Sequence, residues 1–427
     1  MAVHYQRTDP SGDTGGLAKP GLYAWIAFAL IFGLMLSDYL SRQVMNAVFP
    51  LLKVEWGLSD TQLGALVSVV ALTVGVMAFP ISLIADRVGR VKAATGMAIV
   101  WGLATVACGL SGNFIMLFIA RAFVGLGEAG YGSAGGAILV HIFPRHMHSV
   151  VLGSFLAAAL FGSVLGVVLG GVIAQHLGWP MAFIIVGAGG LVLAVIFPMV
   201  VREPAGTSGE QDPPLALRQI GRELFATRTA ICTYIASGLL MFVQGSFVAW
   251  MPSYLNRYLG MDPAQAALGA GVMILVAGVG MIGGGALVDR LSLKDQRNRL
   301  RVPALYALGT ALVLSLAFFQ QPGYYQLVLI GLGLMIGAGF SGAAGAVLAD
   351  LTHASIHATV FATLTLANNL IGLAPGPLLT GWVADHTSLQ TALQLVPLIG
   401  GLAAAAYTIG ARSYLRDRGR LHGQPLS

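Results

Sequence analysis

The sequence predicts an all-α membrane protein with twelve transmembrane helices, arranged as two pseudo-symmetric bundles of six. The first observation is composition: 56% of the 427 residues are hydrophobic and only 9% are charged, whereas soluble proteins average about 25% charged residues. The second is that apolar segments of about 20 residues, long enough to cross a bilayer as a helix, recur along the whole chain. The third is a short phrase of sequence that returns about half a chain later.

The predicted spans are helices, because the strands of a membrane barrel would alternate over only about 10 residues. The 57 glycines fit this prediction, since glycine lets membrane helices pack closely. In the fifth span Gly162, Gly166 and Gly170 predict close packing, and a seam against the glycine-rich eighth span is one place where it could occur. The twelve predicted spans are 23–52, 60–85, 93–112, 113–143, 149–176, 180–201, 229–255, 264–288, 303–320, 323–349, 357–384 and 389–411.

Lys and Arg residues fall in alternate connections between the spans. The exceptions are Lys53 and Arg257 in the opposite connections, and Arg42 and Arg121 inside spans. By the positive-inside rule both termini are predicted to be cytoplasmic. The net charge of +6 therefore reflects topology, and no nucleic-acid partner is predicted. The absence of any N-x-S/T acceptor favours a bacterial inner membrane.

A polar connection with three prolines separates six spans from six. The phrase ISLIADRVGR at 81–90 has an echo in GGGALVDRLS at 283–292, and each places an Asp-Arg pair where the second span of its half ends. Such an echo is typical of two parallel repeats. The predicted organisation is a cytoplasmic tail at 1–22, a bundle at 23–201, a linker at 202–228, a second bundle at 229–411 and a cytoplasmic tail at 412–427.

The first and fourth spans carry charges within their apolar segments. Asp38, Arg42 and Asn46 lie four residues apart on one face of a helix, and Arg121 and Glu128 lie nearly two turns apart. A charge in the middle of a membrane span costs about 2.5–3.5 kcal/mol, so we expect these residues to line an internal cavity. Purely structural ion pairs are one interpretation. The other is that the arginines bind an anion while a carboxylate carries a proton.

On the second interpretation the predicted proton carriers are Glu128 and, after it, Asp38. The predicted substrate-binding residues share polarity and a position on spans that can face the cavity: Arg42, Arg121, Tyr39, Gln43, Asn46, Tyr131, Gln244, Trp250, Asn368 and Asn369. A gating function is predicted for the repeated Asp-Arg phrase, at Asp86, Arg87, Gly89, Arg90, Asp289 and Arg290. No catalytic, metal or cofactor site is predicted.

Twelve spans, a long central loop, and S-x-x-x-D-R-x-G-R at 82–90 against G-x-x-x-D-R at 285–290 resemble the major facilitator superfamily. In that family the loop between helices 2 and 3 reads G-x-x-x-D-R-x-G-R/K, so the resemblance implies the major facilitator fold. The run RAFVGLGEAGY at 121–131, with DYLSRQ at 38–43, looks most like the spinster-like branch. That branch is associated with proton-linked movement of lysolipids and sphingoid phosphates. Its relatives have an Arg and a Glu at the positions of Arg121 and Glu128.

Spinster-like helix 1 usually reads N-Y-x-D-R, whereas this chain has Asp38 in place of Asn and Ser41 in place of Asp. The predicted function is a monomeric, proton-coupled secondary transporter that moves an anionic, lysolipid-like amphiphile across the bilayer by alternating access. The alternatives are transport of a small organic anion, uncoupled facilitation or exchange, and a membrane receptor or scaffold. An enzyme is not predicted, because no set of nucleophile and base or of metal ligands is apparent.

Overall fold

The computed structural model describes residues 21–203, 221, 223–353 and 356–421, and these ranges contain helices and no strands. The helices of the first half are α1 (Leu22–Trp56), α2 (Asp60–Val88), α3 (Arg90–Gly109), α4 (Phe114–Glu128 and Tyr131–Ile142), α5 (His148–Leu177) and α6 (Trp179–Val200). Those of the second half are α7 (Arg228–Leu259), α8 (Pro263–Ser292), α9 (Asn298–Phe319), α10 (Tyr324–Ala338 and Ser341–Asp350), α11 (His357–Ala367, Asn368–Leu373 and Pro375–His386) and α12 (Leu389–Leu421).

Eleven helices in the described part of the chain are long and apolar enough to cross a membrane. The remaining predicted span, 357–384, is α11, which a π-helical turn at Asn368–Leu373 divides into shorter pieces. The fourth span was predicted as one continuous helix, but α4 breaks between Glu128 and Tyr131. The break follows a glycine-rich sequence, in which the helical hydrogen-bond pattern is easily interrupted.

The helix ends fall into two groups. The linker side is defined here as the end of the bundle at which α2 and α6 end and α7 begins. The far side is the opposite end, at which α1 ends and α2 begins. On the far side the two halves touch: an added Cβ on Gly64 of α2 would overlap the carbonyl of Pro377 in α11, and one on Gly171 of α5 would overlap Ala267 of α8.

The contact between α5 and α8 opens toward the linker side. Gly271, Gly278 and Gly285 lie seven residues apart on one face of α8. An added Cβ on Gly271 would lie 2.6 Å from Val168, and one on Gly278 would lie 2.5 Å from Leu160. On Gly285 it would meet nothing within 4 Å. The halves therefore converge at the far side and separate at the linker side.

The close packing predicted for the glycine run in α5 is confirmed, and its partner is α1 rather than α8. Gly162 and Gly166 pack against α1, where an added Cβ would lie 2.5 Å from the carbonyl of Leu36 and 2.6 Å from that of Leu40. Helix α8 contacts a different face of α5. A repeat of small residues reveals that a helix is closely approached, but it does not identify which neighbour approaches it.

Candidate functional site

The site begins with three polar residues on α1. Asp38 and Asn46 are buried, and the Arg42 side chain between them retains 19% of its exposure. Because Asp38 and Arg42 are four residues apart, they project from the same face, and Arg42 Nε lies 3.7 Å from Asp38 Oδ1. The predicted polar stripe of α1 thus faces the protein interior.

The GLGE sequence of α4 brings a carboxylate to this stripe. An added Cβ on Gly125 would lie 2.7 Å from the Val70 carbonyl of α2, and one on Gly127 would lie 2.5 Å from the Trp101 amide of α3. The two glycines therefore allow α4 to pack directly against the backbones of two neighbours. Glu128, one residue further, points at α1.

Glu128 takes Arg42 as its ionic partner. Arg42 Nε lies 2.8 Å from Glu128 Oε2, closer than it lies to Asp38, although the two atoms are not aligned as a hydrogen bond. The Ser41 hydroxyl lies 3.2 Å from Glu128 Oε1 and 2.7 Å from the Asp38 carbonyl, so its single proton serves one of these acceptors at a time. We call Asp38, Arg42 and Glu128 the ion cluster.

Arg121 has a different environment from Arg42. It is 1% exposed, and its guanidinium donates to backbone carbonyls: Nε to Leu66 at 3.1 Å, Nη1 to Ser41 at 3.4 Å and Nη2 to the Arg42 carbonyl at 3.5 Å. These bonds connect α4 to α2 and α1. In this conformation Arg121 is enclosed, and Arg42 is the more accessible cation.

The ion cluster is unbalanced. Within the described ranges, Arg42 is the one cation within 4 Å of the Asp38 and Glu128 carboxylates. Two buried carboxylates that share one cation repel each other, and a proton on either of them relieves the repulsion. The arrangement can therefore hold a proton, exchange the partner of Arg42, or do both.

The other predicted residues of the first half lie around this cluster. The Arg42 guanidinium lies 5.2 Å from the centre of the Tyr39 ring, a cation–π distance. The Asn46 amide donates to Gln43 Oε1. Tyr131 is fully buried, and its hydroxyl donates to the Ile31 carbonyl of α1 at 2.9 Å. Tyr39 and Gln43 are partly exposed beside Arg42, whereas Tyr131 is closed off.

Two predicted residues lie on α7. Gln244 is partly buried, and its amide donates to the Leu334 carbonyl of α10 at 3.3 Å. Trp250 is fully buried nearer the far side, where its indole donates to the Pro377 carbonyl at 3.0 Å and its ring packs 5.1 Å from that of Phe49. Trp250 therefore forms part of the far-side contact between the halves.

The two predicted asparagines begin the π-helical turn of α11. Asn368 Oδ1 accepts a hydrogen bond from the Ser237 hydroxyl of α7 at 2.7 Å. The Asn369 amide donates to the Thr365 carbonyl at 2.9 Å, while its Oδ1 is buried without a hydrogen-bond partner. Single π turns frequently mark functional positions, and this one places the asparagine pair beside α2 near Gly75.

The predicted gating phrases lie at the linker-side ends of α2 and α8. Asp86 belongs to α2, and its side chain is not among those that the structure describes. Gly89 separates α2 from α3. Glu203, which is not among the predicted gating residues, accepts hydrogen bonds from the amides of Arg90 at 2.6 Å and Val91 at 2.9 Å. Arg87, Asp289 and Arg290 are exposed.

A second ionic cluster on the far side was also missed. Arg257 of α7 binds Asp60 of α2 through two hydrogen bonds of 2.8 and 2.7 Å, and Lys53 binds the same carboxylate at 2.7 Å. Asp385 of α11 accepts the amide of Asp60 at 2.7 Å, and the amide and hydroxyl of Thr61 at 2.7 and 2.6 Å. We call these five residues the far-side lock. Charged residues near span ends are common, so the sequence offered no signal that they meet across the halves.

The Asp385 carboxylate of the far-side lock stays ionised near neutral pH. Burial raises the pKa of the Asp385 carboxyl, but the hydrogen bonds from Thr61 and Asp60 outweigh burial and hold its pKa below the ordinary value. A lowered pKa means that Asp385 stabilises the closed far side fully above the ordinary Asp value of about 3.9. That contribution is lost only as the pH falls through the lowered pKa.

We expect Asp385→Ala to open the far side. The carboxylate caps the first amides of α2 from the other half, and loss of an N-cap acceptor costs about 1 kcal/mol, or about a fivefold change in a two-state population. The measurement is labelling of a far-side cysteine by a membrane-impermeant thiol reagent, with Glu55→Ala as the control at the same end. Equal labelling in wild type and Asp385→Ala would contradict a contribution of this cap to closure.

Two halves that meet tightly at one end and separate at the other, with an ion cluster inside the first half, form the arrangement of a membrane transport protein. The chain matches the model of the Major Facilitator Superfamily over residues 31–369 and belongs to that superfamily. It is an integral membrane transporter, and the superfamily is one of transporters rather than enzymes.

The chain is similar to spinster proteins, as its first and fourth helices predicted. Protein spinster homolog 1 of Homo sapiens is 26% identical over 96% of this chain and 84% of its own length. A probable L-galactonate transporter of Escherichia coli (strain K12) is 24% identical over 92% of this chain and 90% of its own. A bacterial homolog of the human lysosomal transporter Spinster, solved in an inward-facing and unoccupied conformation, has the same fold, with a TM-score of 0.82. The two are 22% identical, and the alignment covers 93% of this chain and 99% of that one.

Proposed function

We propose that this protein is a proton-coupled secondary transporter of an organic anion that carries an apolar part, as a lysolipid does. The observation that carries the proposal is the ion cluster, in which Glu128 and Asp38 share the partly exposed Arg42. A charge inside a membrane bundle is costly unless it is paired or functional, and two buried carboxylates around one accessible guanidinium favour function.

Exchange of partners at Arg42 supplies the coupling. An anionic substrate that approaches Arg42 competes with Glu128 for the guanidinium. A carboxylate that loses its cation in a buried position gains a proton more readily, because burial disfavours the charged form. Substrate binding and protonation of Glu128 therefore favour each other, and loss of either one weakens the other. Asp38, 3.7 Å from the same guanidinium, is the second candidate for the proton.

The two halves of the protein differ in chemistry, and this supports an amphiphilic substrate. The first half contributes the ion cluster. In the second half, charged residues stand at the ends of the helices, and the stretch from Thr229 to Asn256 in α7 contains none. Gln244, with its amide donating to a backbone carbonyl, is neutral. A substrate with an anionic group for Arg42 and an apolar part for α7 suits the chemistry of both halves.

A small organic anion is the second candidate substrate. It is favoured by the relatives: besides the probable L-galactonate transporter, a hexuronate transporter of Bacillus subtilis (strain 168) is 24% identical over 89% of this chain and 92% of its own length. Both names specify carboxylated sugars, for which Arg42 is also a suitable partner.

A liposome assay tests the proposal. Purified protein is reconstituted, a proton gradient is imposed, and uptake of a lysophospholipid and of a hexuronate is measured in parallel. Gradient-driven accumulation of the lysophospholipid supports the first candidate, and accumulation of the hexuronate alone supports the second. Uptake that equilibrates without responding to the gradient would indicate facilitation or exchange, and absence of flux for both classes would favour a receptor or scaffold.

Alternating access requires that the far-side contact breaks during transport. We expect Gly381→Ala to disfavour the closed far side, because the added Cβ would overlap the Asp60 carbonyl and lie 2.9 Å from Trp250. Overpacking of this kind costs about 1–3 kcal/mol. Spin-label distances between the far-side ends of α2 and α11 should lengthen. Gly283→Ala, with nothing within 4 Å of its Cβ, is the matched control. Unchanged distances in Gly381→Ala would contradict the prediction.

A further inference from the structure

A basic pocket lies on the linker side, away from the ion cluster. It occupies about 260 Å³ between the start of α7 and the last turns of α12, and it is lined by Arg228, Ile409, Arg412, Ser413 and Arg416. Arg412 and Arg416 are four residues apart and share one face of α12, and Arg228 approaches them from α7. Three guanidiniums thus surround one cavity.

The positive charge of this pocket is not neutralised from within the described part of the chain. Arg416 Nε is 3.9 Å from Asp417 Oδ1, a distant ionic contact. Asp417 itself is buried, and its Oδ2 accepts the amide and hydroxyl of Thr229 at 3.1 and 2.7 Å. No salt bridge to Arg228 or Arg412 occurs among the described residues. Within the described residues the pocket keeps an excess of positive charge, which makes an anion a suitable ligand for it.

The surface next to the pocket is apolar and exposed. Ile231 and Ile235 lie three and seven residues after Arg228 and share its face of α7, and each is 40% exposed. On α12, Ile409 is 37% exposed, and Leu402, one heptad before it, is 59% exposed. The exposed apolar side chains continue from the basic pocket toward the middle of both helices. A ligand that fits both features has an anionic head and hydrocarbon chains.

We propose that this pocket binds the head group of an anionic phospholipid from the bilayer leaflet on the linker side. The phosphate binds Arg228, Arg412 and Arg416, and the acyl chains lie along α7 and α12. Basic pockets between transmembrane helices at the membrane surface are suited to such head groups. The site lies between α7 and α12, which are the first and last helices of the second half. It is separate from the proposed substrate site at Arg42.

The test uses the full-length protein in nanodiscs that contain equal amounts of phosphatidylglycerol and phosphatidylcholine. Native mass spectrometry counts each lipid retained after delipidation. We expect enrichment of phosphatidylglycerol in wild type. In Arg228→Gln/Arg412→Gln this enrichment should fall by about tenfold or more, because the variant removes two arginines that each attract anionic lipid at the membrane surface. Lys294→Gln/Arg297→Gln is the control, because it removes the same charge from two exposed linker-side positions.

Two further arms separate the pocket from general surface charge. Ile409→Trp keeps every charge but fills the cavity, and we expect it also to lose the enrichment. Inorganic phosphate alone, added at high concentration without lipid, should not raise the unfolding temperature more in wild type than in the double arginine variant. Equal enrichment in wild type and in Arg228→Gln/Arg412→Gln, an equal loss in the control, or selective stabilisation by free phosphate would each overturn the proposal.

Discussion

Glu128→Gln is expected to abolish proton-driven accumulation while counterflow exchange continues. Glu128 lies 2.8 Å from Arg42 inside the bundle, and the glutamine keeps the shape of the protonated carboxyl but cannot release a proton. A gradient of one pH unit supplies about 1.4 kcal/mol per proton. If one proton moves with each substrate molecule, this energy supports about a tenfold accumulation of substrate. The wild type should approach that ratio, and the variant should remain near equal concentrations on both sides.

The matched control is Glu55→Gln. Glu55 lies at the far-side end of α1, where its carboxylate accepts a hydrogen bond from the Trp179 indole at 2.8 Å, and a glutamine oxygen accepts the same bond. This variant should accumulate substrate as wild type does. Full accumulation by Glu128→Gln would remove Glu128 from the role of proton carrier. Asp38→Asn, assayed in parallel, then tests the second candidate.

Arg42→Gln is expected to weaken binding of the anionic substrate by about 10–100-fold, since a hydrogen bond to a charged group contributes about 1.5–3 kcal/mol. Arg42 is the accessible cation of the cluster, and its side chain keeps 19% exposure beside Tyr39 and Gln43. The measurement is the stabilisation of the purified protein against heat by the transported anion, which follows its binding constant. Arg42→Lys keeps the charge and should recover part of the affinity.

Arg121→Gln provides the contrast. Because the Arg121 guanidinium donates to three backbone carbonyls of α1 and α2, its loss should lower the unfolding temperature in the absence of substrate. If Arg42→Gln bound the anion as tightly as wild type while Arg121→Gln did not, the anion site would lie at Arg121 in a conformation that exposes it. The prediction that both arginines bind the anion is thereby divided into two roles that can be measured separately, anion binding by Arg42 and stabilisation of the fold by Arg121.

Several features of the molecule were predictable because they depend on local chemistry. Hydrocarbon excludes charge, so Asp38, Arg42, Arg121 and Glu128 had to face inward, and the helical period placed them in two stripes. The repeated Asp-Arg phrase and the central linker indicated two halves. The break in α4 was not predicted, since glycine favours both close packing of helices and interruption of them, and the sequence does not show which effect prevails at Gly130.

The sequence by itself determined that this protein spans a membrane with two related helical halves and that charges on its first and fourth helices are internal. Only the tertiary structure decided the partners. Arg42 lies nearer Glu128 of α4 than Asp38 of its own helix, and Arg121 binds backbone carbonyls rather than a carboxylate. The physical reason is that partner choice depends on which helix backbones approach most closely. Those approaches are set jointly by glycines on several helices, such as Gly125 and Gly127, and not by the spacing within any one of them.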